Sequence, residues 1–184
     1  MLKLINAHNK DIESVLEYYN SYKDKENNLC YAINTIQYGI NVYLDWIINY
    51  EDNLYYLIND KKPNYIIGYG TIEDSDLIDY HNNNFNEGNI SYGIRENERK
   101  QGYGNELLRL LLQECQELGM KEVCVSCHKD NIGSYKIIKN NNGKLDKEFI
   151  DPDTGKESLK FWIKLKPTLQ KRCKRLLINM KKRS

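Results

Sequence analysis

Two glycines one residue apart, Gly102 and Gly104, sit in the stretch RKQGYGNELL, just ahead of the clearest amphipathic segment of the chain. Residues 105–118 put Leu107, Leu108, Leu111, Leu112, Cys115 and Leu118 on one helical face. Arg109, Gln113, Gln116 and Glu117 fall on the other. Gly119 supplies the stop that a helix C-terminus favours. Before the turn, ISYGIR reads as a strand; after the helix, KEVCVSC reads as another. A unit of strand, glycine turn, helix and strand is long enough for a right-handed crossover. It restricts the chain to an α/β architecture with a mixed central sheet flanked by helices.

The turn itself narrows what can be bound there. A dinucleotide-binding turn needs a third glycine where this chain has Leu107, and a P-loop needs a Gly-Lys-Ser/Thr ending that is absent. What remains is a strand-to-helix turn whose successive backbone N–H groups face a diphosphate. Gly102 and Gly104 lack a Cβ and permit close approach, and the helix beginning near Asn105 adds free N–H groups and the positive end of its dipole. Arg99, Lys100 and Gln101 add side-chain donors. The alternative is a tight turn with solvated bases beside it, and physics alone leaves both open.

The rest of the chain supports one domain over residues 1–166 followed by a basic tail or helix over 167–184. Residues 11–22 and 36–50 have helical apolar spacing. Residues 53–60 and 64–73 read as strands joined by a turn at Lys61-Lys62-Pro63-Asn64, and residues 74–89 as an Asn-rich loop. NIGSYKIIKN gives a short helix, and Asp151-Pro-Asp-Thr-Gly155 a hairpin turn between two strands. Net charge is only +1, but ten of the 27 basic residues follow Ser158, so the body before it carries −9. A negative body favours a cationic partner. The tail places Leu169, Cys173, Leu176 and Met180 on one helical face. It reads as a solvated helix docked on the body rather than a nucleic-acid contact, because it lacks aromatics for base stacking.

Several classes are excluded or disfavoured. No run approaches the 18 or more apolar residues of a membrane span, and the start MLKLINAHNKDIE has no apolar signal core, so a cytoplasmic address is expected. Cys124 and Cys127 form a CxxC, but on a strand their side chains point to opposite faces, which suits neither a redox pair nor a metal. Five cysteines do not make a complete disulfide framework.

The segment ISYGIRENERKQGYGNELLRLLLQECQELG resembles the acetyl-CoA-binding segment of the GNAT N-acetyltransferase superfamily. That segment is a strand, a turn of pattern Arg/Gln-x-x-Gly-x-Gly/Ala and an amphipathic helix. The following strand, with Asn131 and then Ser134 three residues on, is similar as well. The resemblance implies a GNAT-like fold whose splayed strand pair holds acetyl-CoA as co-substrate. It implies that the backbone near Ile94 pairs with the pantetheine amides and supplies an oxyanion donor. The amides from Gln101 to Asn105 would hold the diphosphate, with Arg99 and Lys100 beside it and Tyr103 packing or meeting the adenine. Asn131 would reach the pantetheine arm and Ser134 would let it pass. The acceptor is then an amine, on a small molecule or a peptide, and a homodimer is compatible with the family.

One position departs from the pattern. Many family members carry a tyrosine acid seven residues after the Asn, where this chain has Ile138. For the base, Glu73 at the end of a strand is the leading candidate. His81 in the Asn-rich loop and His128 after the strand 121–127 stand behind it. A module that binds acyl-CoA without turnover is the alternative reading.

Overall fold

The computed structural model describes residues 1–25, 28–50, 53–73, 88–152 and 154–166. His81 and the tail, residues 167–184, lie outside the described residues. The strands are β1 (Leu2–Asn6), β2 (Leu54–Asn59), β3 (Lys62–Ile72), β4 (Ile90–Ile94), β5 (Glu122–His128), β6 (Lys144–Ile150) and β7 (Glu157–Lys164). The helices are α1 (Ile12–Asn20), α2 (Tyr31–Asn34), α3 (Ile40–Tyr50), α4 (Tyr103–Glu117) and α5 (Ile132–Asn140).

The strands divide into two antiparallel sheets, ordered β1-β2-β3-β4 and β5-β7-β6. The break falls between β4 and β5, the pair expected to splay. The single mixed sheet of the sequence reading is therefore two antiparallel sheets, and α4 carries the chain from one to the other. β1 was not anticipated; its short LKLIN segment pairs with β2 from Leu2↔Asn59 to Asn6↔Tyr55. The turn between β2 and β3 is also tighter than expected. Lys62, Pro63 and Asn64 already belong to β3, because Asn59 pairs with Lys62.

Local chemistry explains the helix ends. Asp11 caps α1, its Oδ1 accepting from Ser14 N–H at 2.8 Å. α4 ends as a Schellman motif, with Met120 N–H on Cys115 O and Gly119 N–H on Gln116 O, and Gly119 at φ +87°. The expected region 36–50 is broken: α2 runs into a 3₁₀ turn, and Gly39 at φ +124° separates that turn from α3.

Two hydrophobic cores result. One lies under α4 and joins Leu107, Leu108 and Leu111 to Val123, Val125 and Phe161 of the second sheet. The other lies under α1–α3 and is built around Tyr18, Tyr22, Tyr43, Tyr56 and Tyr69. The face of β3 and β4 that carries Tyr69 looks toward the second core, while a Cβ on Gly70 would strike Leu111 of α4.

Candidate active site

β4 and β5 are joined at one end by a single residue, Asn89. Its N–H donates to Cys124 O at 2.8 Å, and its Oδ1 accepts from Cys124 N–H at 2.7 Å. Its Nδ2 donates to Glu73 O at 3.1 Å, and Glu73 N–H donates back to Asn89 O at 2.8 Å. Asn89 is buried, so these bonds tie the ends of β3, β4 and β5 together away from water. Gly88 belongs to the same joint: a Cβ there would stand 2.7 Å from Cys124 O and 2.9 Å from Val125 Cα. The sequence reading placed both residues in the Asn-rich loop and missed them. A Gly-Asn pair directly before a strand was the available signal.

Past this joint the strands part, and a cleft of about 580 Å³ opens between them. It is lined from β4 by Ile90, Ser91 and Tyr92, and from β5 by Ser126, Cys127 and His128. Asn131 and Ser134 close one side; Glu73, Asp151 and Ser158 stand on another. Alternation sorts these groups by face. Thr71 pairs with Ser91 and shares the face of Tyr69, and Glu73 follows two residues after Thr71. His128 pairs with Ser158 across β5 and β7 and lies on the face opposite Cys127, which packs into the core under α4. Tyr92 and Ile94 pack on the α4 side. The cleft therefore has a polar wall on one face and an apolar wall on the other.

The glycine turn sits at the open end of β4. Gly102, at φ +86°, caps α4 in a left-handed conformation, and nothing lies within 4 Å of where its Cβ would be. Lys100 is also left-handed, at φ +63°. Gly104 has a different reason to be glycine: its Cβ would meet Ile137 Cδ1 at 2.6 Å, so it lets α4 close onto α5. The sequence reading assigned both glycines to approach by a diphosphate. At Gly102 the space is open, and at Gly104 the missing Cβ also makes room for Ile137. The amides of Tyr103 and Gly104 precede the first intrahelical acceptor. Those of Asn105 and Glu106 both donate to Gly102 O, at 3.1 and 3.3 Å. Asn105 is held further by Asn141, whose Nδ2 reaches its Oδ1 at 3.2 Å. The amides of residues 101–104 are thus left outside the helix ladder, with Asn105 anchoring the helix behind them.

The side chains around the turn are partly engaged. Arg99 Nε donates to Ile94 O at 3.1 Å and Nη2 to Asn28 Oδ1 at 2.9 Å. Gln101 Nε2 donates to Glu98 Oε2 at 3.1 Å. Lys100 is exposed, and Tyr103 is half-buried against the core under α4. Asn131 caps α5, its Oδ1 accepting from Ser134 N–H at 3.0 Å. Ile138 is fully buried in the core under α4, and Tyr135 packs edge-on against Phe161, so neither brings a phenol to the cleft. Tyr92 does line it, but its Oη is buried with no hydrogen-bond partner among the described residues, and burial pushes its pKa up to about 12. Ser134 acts on that hydroxyl in the opposite direction, although the two are not within hydrogen-bonding geometry.

Cys124 and Cys127 are buried thiols outside any disulfide, each pushed by burial up to about 11. That is the reverse of a nucleophilic cysteine. Among the described residues no cluster of His, Cys, Asp or Glu suits a metal ion, and no helix is long and apolar enough to cross a membrane.

The family model for an acetyltransferase (GNAT) domain matches residues 2–144. No curated protein matches the sequence. Solved structures share the fold at low identity. A spermidine N-acetyltransferase chimera from Vibrio cholerae and hSSAT is 10% identical, with a TM-score of 0.62 over 89% of this chain and 95% of that one. yncA from Salmonella typhimurium, solved with its cofactor acetyl-CoA, is 12% identical, with a TM-score of 0.59 over 94% and 99%. The ribosomal-protein-S18-alanine N-acetyltransferase from Escherichia coli is 9% identical, with a TM-score of 0.56 over 94% and 98%.

Proposed function

The chain belongs to the GNAT acetyltransferase family, and on that premise we propose that it transfers the acetyl group of acetyl-CoA to a primary amine that arrives positively charged. Acetyl-CoA is the co-substrate of the family; when bound it supplies an activated acyl group on a thiol leaving group. The observation that carries the reading is the cleft between β4 and β5, with the left-handed Gly102 turn at its open end.

The chain's own groups fit an acyl-CoA. The turn amides of Gln101, Gly102, Tyr103 and Gly104, with Lys100 beside them, face the space a diphosphate would fill. Arg99 steadies the turn from below through Ile94 O and Asn28. Among the described residues, main-chain groups of β4 up to Ile94 have no strand on their β5 side beyond Asn89, and an extended amide-bearing arm can pair there as an added strand. An N–H of β4 is then a donor for developing oxyanion charge. Asn131 and Ser134 border the arm at the start of α5. Holding two reactants in line across the cleft lowers the barrier by several kcal/mol before any proton moves.

Glu73 is the catalytic carboxylate in this reading. It stands on the polar wall, and its main chain is fixed to Asn89. A carboxylate there draws an ammonium into the cleft and holds it in place. Two solved neighbours whose names state an acceptor act on spermidine and on the alanine of a ribosomal protein. The acceptor here is accordingly a small polyamine-like amine or a peptide N-terminus.

The test is release of free thiol from acetyl-CoA with spermidine, an alanine-initiated tetrapeptide and an aminoglycoside. At least one amine is expected to turn over, with Glu73→Gln lowering kcat/KM about tenfold or more, chiefly through KM. Binding of acetyl-CoA without turnover on any amine would instead make the chain an acyl-CoA-binding module.

A further inference from the structure

On the polar wall of the cleft, three side chains from three segments converge. His128 ends β5, Ser158 lies beside it on β7, and Asp151 opens the turn between β6 and β7. His128 Nδ1 and Ser158 Oγ are 2.9 Å apart, and Asp151 Oδ2 is 3.9 Å from the same nitrogen. All three line the cleft. Ser158 is 3% exposed, whereas the His128 side chain is 32% exposed, so the hydroxyl is fixed and the ring reaches open space. Asp151 is fixed too: Thr154 Oγ1 donates to its Oδ2 at 2.8 Å, and its N–H donates to Lys156 O at 2.9 Å.

A simple structural role for the ring can be set aside. The turn into α5 is closed by the backbone: Asn131 N–H donates to His128 O at 3.0 Å. The imidazole is not used there. It is pinned at one nitrogen and turned toward the site of reaction.

We infer that His128 is the general base that takes the proton of the acceptor amine, with Ser158 and Asp151 as its positioning residues; this rests on the acetyl-transfer reading above. In the working tautomer Nδ1–H donates to Ser158 Oγ, and Nε2 carries the lone pair. The ammonium N–H breaks as an Nε2–H bond forms, and the neutral amine keeps its electron pair for the thioester carbonyl. The imidazolium is stabilised by the Asp151 carboxylate beside Nδ1 and later loses its proton to water. Glu73, which lines the same cleft, holds the cation, and His128 takes its proton.

The charges around the ring are mixed. Lys129 is adjacent but paired with Glu148 at 2.9 Å and with Glu157 at 3.6 Å. Asp130 follows it in the turn to α5, and Lys160 is buried two residues from Ser158 on the same face of β7. Glu73, just after β3, lines the same cleft.

The experiment is the pH profile of kcat/KM from pH 5 to 9, with the fastest amine among spermidine, an alanine-initiated tetrapeptide and an aminoglycoside. It is paired with imidazole ¹⁵N spectra of the full chain. The wild type is expected to gain activity through the range in which imidazoles titrate, about pH 5–8. His128→Gln is expected to lose about 100-fold at pH 7.5 and to lose that rising limb, while its acetyl-CoA affinity by calorimetry is unchanged. Ser158→Ala is expected to keep the limb with about tenfold lower kcat. Its His128 resonance, assigned by its absence from His128→Gln, should lose the Nδ1–H preference seen in the wild type. An active His128→Gln enzyme that keeps the limb, or a wild-type spectrum with the proton on Nε2, overturns the assignment and leaves acetyl transfer standing. No turnover of any amine by the wild type overturns both.

Discussion

The two cores of this protein solve one packing problem with different residues. Under α4, beneath the cofactor turn, the filling is aliphatic: Leu107, Leu108, Leu111, Val123 and Val125 interlock across the gap between the sheets. Under α1–α3, on the face that carries Glu73, the filling is tyrosine, and the hydroxyls are paired. Tyr18 and Tyr22 Oη are 2.8 Å apart, and Tyr43 and Tyr56 Oη are 2.9 Å apart. With 15 tyrosines and only three phenylalanines, the chain buries large rings that carry a polar tip, and an unpaired tip costs stability. The difference teaches that the core under α4 is filled by shape, whereas the core under α1–α3 is held by shape and by a small set of directional bonds.

Arg95 joins the two regions. It follows β4 directly and is 4% exposed, yet its guanidinium meets Glu17 of α1 through both Nη atoms, at 2.8 and 2.6 Å, and donates from Nε to Ile66 O. The rings of Tyr18 and Tyr65 flank it at 5.0 and 4.3 Å. The Arg95 guanidinium holds the Glu17 carboxyl below the usual carboxylate range. A movement of β4 is in this way felt by α1.

The largest effect should come from the aliphatic side. Leu111→Ala removes a fully buried side chain that seats against Gly70 and is expected to cost about 3 kcal/mol. Calorimetry should show one cooperative transition at lower Tm; two separate transitions would mean that the cores unfold independently. A smaller effect, about 1–2 kcal/mol, is expected for Tyr56→Phe, because it leaves Tyr43 Oη buried and unpaired. The double variant Tyr43→Phe/Tyr56→Phe should then cost less than the two singles together. Additive costs would show that the pairing contributes nothing. Alkaline titration sharpens the same point. Burial pushes Tyr43 up to about 12 and Tyr56 higher still, so the folded state favours the neutral phenols. Stability from them is full below about pH 10, the unfolded value, and is lost as pH rises through 12. Phenolate absorbance should rise together with unfolding in that window, and a rise well below pH 10 without unfolding would contradict the buried pairs.

The sequence was informative where a local rule decides the outcome and silent where a distant contact does. The face of α4, its Schellman end at Gly119 and the left-handed Gly155 in the β6–β7 turn follow from periodicity and glycine chemistry, which act over a few residues. The parting of β4 and β5 entered only through family resemblance, because strand pairing is a long-range choice. Asn89 was hidden for the same reason, since its partner Cys124 is 35 positions away. Gly104 adds a second constraint that the motif did not announce, helix packing against Ile137. The convergence of His128, Ser158 and Asp151 depends on the β5–β7 register, which no local pattern announces.

The central claim is that backbone amides at residues 101–104 grip the diphosphate of coenzyme A, and a comparison of ligands tests it without altering the protein. Calorimetry should find acetyl-CoA binding at least about 100-fold tighter than S-acetylpantetheine, which has the same arm and thioester but no diphosphate. Equal affinity for the two would show that the turn holds nothing, and the account built on it would fail.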